Sequence, residues 1–138
     1  MIFEIKDFIV SSKISNVGLR ASKAEIDGIL PAPEAVSLAR FPKIYKYGPL
    51  QITIYESEVV SIKIIISADQ ALWKGVDFPD YNFFCKMTCD DVEKYLSSIA
   101  LDYHIICSEH MNKYIKTYNE VCFYFDENKL EAIGCSLF

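Results

Sequence analysis

The segment His104-Ile105-Ile106-Cys107-Ser108-Glu109-His110 concentrates the residue types that ligate metals or activate a nucleophile. A structural zinc site draws its ligands from paired, recurring spacings, and the remainder of the chain offers no second C-x-x-C or H-x-x-x-H half. If residues 103–107 form a strand, His104 and Cys107 point to opposite faces, because side chains alternate along a strand. The segment therefore predicts an edge-strand histidine and a buried thiol, and no metal site. A catalytic cysteine needs a histidine within hydrogen-bond reach and a third group to orient it. The chain's two histidines, His104 and His110, sit in this one segment, so any pairing with a cysteine depends on the fold. No serine occupies a G-x-S-x-G elbow. Paired carboxylates occur at Asp77/Asp80 and Asp90/Asp91. The first pair has the chemistry for acid–base work; the second opens a helix, where negative charge complements the macrodipole without any further role. The five glycines are scattered, which excludes a phosphate-cradling loop and a dinucleotide fingerprint. These residues predict a chain that is not an enzyme and carries no cofactor.

The elements that would position them are organised around Tyr45 to Ser67. Leu50, Ile52 and Ile54 alternate with Gln51, Thr53 and Tyr55; after Glu56-Ser57-Glu58, Val60, Ile62, Ile64 and Ile66 alternate with Ser61 and Lys63. This period of two marks a pair of half-buried strands joined by a hairpin turn. Upstream, Ser22-Lys23-Ala24-Glu25 is a capping box, and Ile26, Ile29 and Leu30 follow on one helical face until Pro31 and Pro33 stop it. Residues 2–10 suit either a short helix or a strand end, and residues 31–43 read as an irregular loop. Residues 68–86, with the single tryptophan Trp73, read as a long connection ending in a short strand at Tyr81, Phe83 and Phe84.

The same pattern then returns. Thr88-Cys89-Asp90-Asp91 is a second cap, followed by Val92, Tyr95, Leu96 and Ile99 at helical spacing. Tyr103–Cys107 is a strand candidate, Val121, Phe123 and Phe125 alternate, Asp126 to Lys129 is a turn, and residues 130–135 are a closing strand. The chain thus reads as an α+β protein of one domain, residues 1–138. Two helix-plus-antiparallel-strand repeats, 12–67 and 80–136, would share one antiparallel sheet with the helices on one face.

A length of 138 residues, 51% hydrophobic and 24% charged, suits a single packed core. Five scattered cysteines do not resemble a disulfide framework and predict reduced core thiols. No apolar run reaches the ~18 residues of a membrane helix, and the N-terminus lacks a signal-peptide pattern, so the expected location is the cytoplasm. The net charge of −5 is uneven: residues 1–48 hold seven Lys/Arg against five Asp/Glu, and residues 49–138 hold seven against fourteen. That balance argues against nucleic acid and suits a basic protein partner. Tyr55 and Tyr124 are expected on the sheet side away from the helices. Tyr45, Tyr47, Tyr114 and Tyr118 stand at strand starts, and Trp73, Asp77, Asp80 and Tyr81 lie on or beside the connection. Tyr and Trp recur at binding hot spots, so Tyr45, Tyr47, Tyr55, Trp73, Asp77, Asp80, Tyr81 and Tyr124 form the candidate binding set. The same aromatics would equally suit a core and its edges.

The capped helix from Ser22 to Leu30, the following Pro31, and Tyr47-Gly48-x-Leu50-x-Ile52 resemble small bacterial immunity-type proteins of polymorphic toxin systems. The duplicated helix-plus-strands arrangement is similar to the tandem-repeat architecture of beta-lactamase inhibitory proteins, without their secretion signal and paired cysteines. The resemblance implies a protein that neutralises a toxin or enzyme through an aromatic, acidic sheet face. Two other expectations compete with it. One is a ligand-binding or enzymatic domain with a pocket between helices and sheet near His104, Asp77 and Asp80; the other is a subunit that pairs with a second copy through its edge strands.

Overall fold

The computed structural model describes residues 1–38, 41–66, 75–108 and 111–138. Each half of the chain closes on a run of antiparallel strands. The first contributes α1 (Ile5–Ser11), α2 (Lys23–Ile29), β1 (Ala35–Val36), β2 (Lys43–Tyr47), β3 (Leu50–Tyr55) and β4 (Glu58–Ile65). The second contributes α3 (Tyr81–Phe84), α4 (Cys89–Ser98), β5 (Tyr103–Ser108), β6 (Met111–Thr117), β7 (Cys122–Asp126) and β8 (Lys129–Ser136). The strands form one eight-stranded sheet in the order β1-β2-β3-β4-β8-β7-β6-β5, and every neighbouring pair is antiparallel. The protein is therefore α+β, with β4 and β8 meeting at a central seam.

Both capping boxes form as their sequences dictate. Ser22 accepts from the Glu25 backbone N–H while the Glu25 carboxylate accepts from Ser22; Thr88 and Asp91 do the same. The N-terminal ambiguity resolves to a helix from Ile5, and its first turn is capped from a distance. The two Asp80 carboxylate oxygens accept from the Ile5 and Lys6 N–H groups, at 2.9 Å each. At the far end of α1, the Asn119 side-chain amide donates to the carbonyls of Ile9 and Val10, and Ser12 Oγ donates to the Asn119 carbonyl. Residues 81–84, expected as a strand, are one helical turn instead, with Tyr81 and Phe84 buried. Phe83, Phe84 and Tyr95 pack edge to face at 5.1 to 5.7 Å, which rewards bringing both phenylalanines to one side. The expected loop 31–43 contains the two-residue strand β1.

The two hairpins β3–β4 and β7–β8 are built alike. Each turns on two residues of positive φ, Glu56 and Ser57 (50° and 67°) and Glu127 and Asn128 (49° and 59°), the backbone that matches the right-handed strand twist. Each carries a register shift just before the turn, at Thr53/Ile54 and at Tyr124/Phe125.

One core runs along one side of the sheet. Leu50, Ile52 and Ile54 on β3, Ile62 and Ile64 on β4, Phe123 and Phe125 on β7, and Ile133 and Cys135 on β8 join Ile5, Phe8, Ile26, Phe84, Val92 and Leu96 from all four helices. At ~25 cal/mol per Å² of buried apolar surface, this shared layer is the main force holding the halves together. Among the described residues, no helix is long and apolar enough to cross a membrane.

Candidate functional site

The strand register assigns every side chain to one face. Tyr45 lies opposite Ile52 and Tyr47 opposite Leu50, and directly paired residues share a side, so both tyrosines stand on the helix-covered face. Tyr47 is fully buried, and burial, followed by the nearby Asp27 and Tyr45, pushes its hydroxyl up to about 12. The Lys23 ammonium from α2 sits 4.8 Å from the centre of the Tyr45 ring. Neither ring is available on an open face, which corrects the sequence expectation. Tyr81 is also buried, and its hydroxyl donates to the Ile65 carbonyl. Asp80 has both oxygens committed to α1. Asp77 is exposed, and its backbone pairs with the N-terminal segment: Phe3 N–H donates to its carbonyl and its N–H donates to Met1. Trp73, Glu109 and His110 lie outside the described residues.

Tyr55 and Tyr124 do stand on the side away from the helices. Tyr55, 41% exposed, meets Phe41 edge to face at 6.3 Å near the tip of the first hairpin. Tyr124 pairs with Ala132 on one side and Tyr114 on the other. The Tyr114 and Tyr124 rings lie 5.6 Å apart, tilted by 31°. Burial, and then the neighbouring Cys122 thiol, pushes the Tyr124 hydroxyl up to about 12, so it keeps its proton across the neutral range.

The register also assembles residues that the sequence left scattered. From the β1 edge, Ala35, Lys46, Gln51 and Lys63 stand side by side on this face. Across the seam the same row continues through Gly134, Cys122, Lys116 and His104. Next to it runs an apolar and aromatic row, Ile65, Ala132, Tyr124, Tyr114 and Ile106. The Lys63 ammonium lies 5.6 Å from the Tyr124 ring centre, a cation–π contact that ties the two rows together. Lys116 is held by Glu120 at 2.8 Å, a hydrogen bond that raises its pKa. The uncovered face is therefore aromatic and basic along its middle. Of the acidic residues expected there, Asp80 is committed to α1 and Asp77 lies beside the N-terminal segment.

The residues whose types could do chemistry are dispersed. His104 is exposed on β5, away from the helices, whereas Asp80 caps a helix on the other side. Cys107 is exposed rather than buried, because it falls at the register shift between Ile106 and Ser108 on an edge strand. Cys89 and Cys135 are buried and Cys85 and Cys122 half-buried; all five cysteines are free. Burial lifts the Cys135 thiol up to about 12 and raises Cys89 and Cys122, the direction that makes a thiol inert. Among the described residues, no group of three or more His, Cys, Asp or Glu is placed to hold a metal ion. A cleft of about 470 Å³ opens beside α3 and α4, lined by Phe83, Met87, Lys94 and Tyr95, and holds none of His104, Asp77 or Asp80.

Comparison of the chain with models of known protein families, with curated proteins and with solved structures finds no match.

Proposed function

We propose that this chain is a non-enzymatic protein-binding module of the immunity or inhibitor kind, docking a partner toxin or enzyme on the uncovered face of its sheet. One observation carries the proposal. All four helices pack on one side of the sheet, while the Tyr114–Tyr124 pair, its rings in contact, stands half-buried on the other, next to Lys63. Rigid tyrosines lose little conformational freedom on binding and recur among the residues that dominate interfaces. A sheet whose rings already rest on one another and whose strands are all paired is pre-organised for contact.

We further propose that the halves arose as two copies of one helix-plus-four-strand unit. The turn residues Glu56 and Ser57 match Glu127 and Asn128, and the register shift at Thr53/Ile54 matches that at Tyr124/Phe125. The offset that aligns them also carries Lys63 onto Gly134, the residue it pairs with across the seam. A two-fold axis through that pair makes one continuous face from two half-faces, broad enough for a protein surface.

The test is co-expression with the product of the neighbouring reading frame. That product should co-purify with the wild-type chain and lose its toxicity. Tyr124→Ala with Tyr114→Ala should abolish both effects while the variant, though less stable, remains folded at the assay temperature. Full protection by the folded double variant would remove the proposal.

A further inference from the structure

We infer that the partner surface read by this face is acidic. The inference rests on the binding proposal above and specifies the chemistry of what binds. The net charge of −5 for the whole chain points to a basic partner, but a docking surface responds to its local field. The transverse row holds Lys46, Lys63, Lys116 and His104 and contains no carboxylate. Among the described residues, only Lys116 of these lysines has an ion-pair partner, Glu120. Lys63 rests on the Tyr124 ring instead.

Adjacent strands lie about 4.8 Å apart, so Lys46 and Lys63 are separated by about 10 Å and Lys63 and Lys116 by about 14 Å. Those intervals suit carboxylates distributed over a protein patch, with an apolar centre set against Tyr114, Tyr124 and Ile65. A nucleic acid fits less well. Its charge repeats every few ångströms, a spacing that the lysines of the row, about 10 and 14 Å apart, do not match. The three lysine side chains are half-buried. Their stems are thereby partly held in place, which lowers the entropy lost on pairing.

The experiment follows backbone amide shifts of the full, isotope-labelled chain on titration with decaglutamate, decalysine and a ten-nucleotide thymidine strand. Decaglutamate should shift the amides of Lys46, Lys63, Lys116 and their row neighbours, and the effect should fade as salt is raised. The Lys46→Gln, Lys63→Gln, Lys116→Gln triple variant should keep its unfolding midpoint and bind decaglutamate about five- to tenfold more weakly, as three modest surface pairs predict. Absence of those shifts, or the same shifts with decalysine, would overturn the acidic partner and leave the face as a binding surface for some other protein. Tighter binding of the thymidine strand than of decaglutamate would overturn both.

Discussion

Lys63 and Gly134 face each other across the seam between β4 and β8. A side chain is tolerated on one strand there and not on the other. A Cβ at Gly134 would come within 2.7 Å of the Ile62 carbonyl oxygen and 3.2 Å of the Lys63 Cα, both fixed by the sheet. Gly134→Ala is therefore expected to cost about 1–3 kcal/mol, the usual penalty for forcing atoms into a filled site. Gly28, within α2, has nothing within 4 Å of where its Cβ would be. Gly28→Ala should stabilise by about 0.5–1 kcal/mol through helix propensity alone. Urea unfolding of the two variants checks both signs; equal effects would contradict the seam geometry.

Asp80 should matter to stability and leave binding untouched. Asp80→Ala removes both acceptors from the first turn of α1, and a lost cap of this kind costs about 0.5–2 kcal/mol. The unfolding midpoint should fall while partner co-purification at matched folded concentration stays the same. Loss of binding without loss of stability would return Asp80 to the binding surface.

The second capping box implies a specific acid response. The Asp91 carboxylate accepts from the Thr88 backbone N–H at 3.0 Å, and this bond holds its pKa below the ordinary 3.8. A carboxylate lowered in the folded state stabilises above its unfolded pKa, and that stability is lost as pH falls through the folded value. Asp91→Asn should therefore lose stability at neutral pH, with the gap to wild type narrowing below pH 3.8. Thr88→Ala, which removes the other half of the box, should cost about 1 kcal/mol at neutral pH. Thermal melts of both variants across the acid range test the sign.

Local signals were the legible part of this fold. Ser22/Glu25 and Thr88/Asp91 announce their helix starts because a capping box is completed within four residues. The alternation of Leu50, Ile52 and Ile54 and of Val121, Phe123 and Phe125 placed those side chains in the core, and it sent Tyr55 and Tyr124 the other way. Features set by pairing between distant strands were hidden. Tyr45 and Tyr47 look like surface tyrosines until their partners are known to be Ile52 and Leu50. The lysine row exists only through the registers of seven strand pairs, and no spacing in the chain encodes it. Asp80 carried a plausible acid–base signature because its true partners, the Ile5 and Lys6 amides, lie far upstream.

The helix α1 is held at its start by Asp80 and at its end by Asn119. Both of its anchors follow it in the chain, by some 75 and 110 residues, so on a ribosome they are translated long after it. A seven-residue helix is too short to persist alone in water. The helix is thus secured only after segments made long after it, and a nascent chain halted before Asn119 would leave the Ile5, Phe8 and Ile9 surface without its closing clasp.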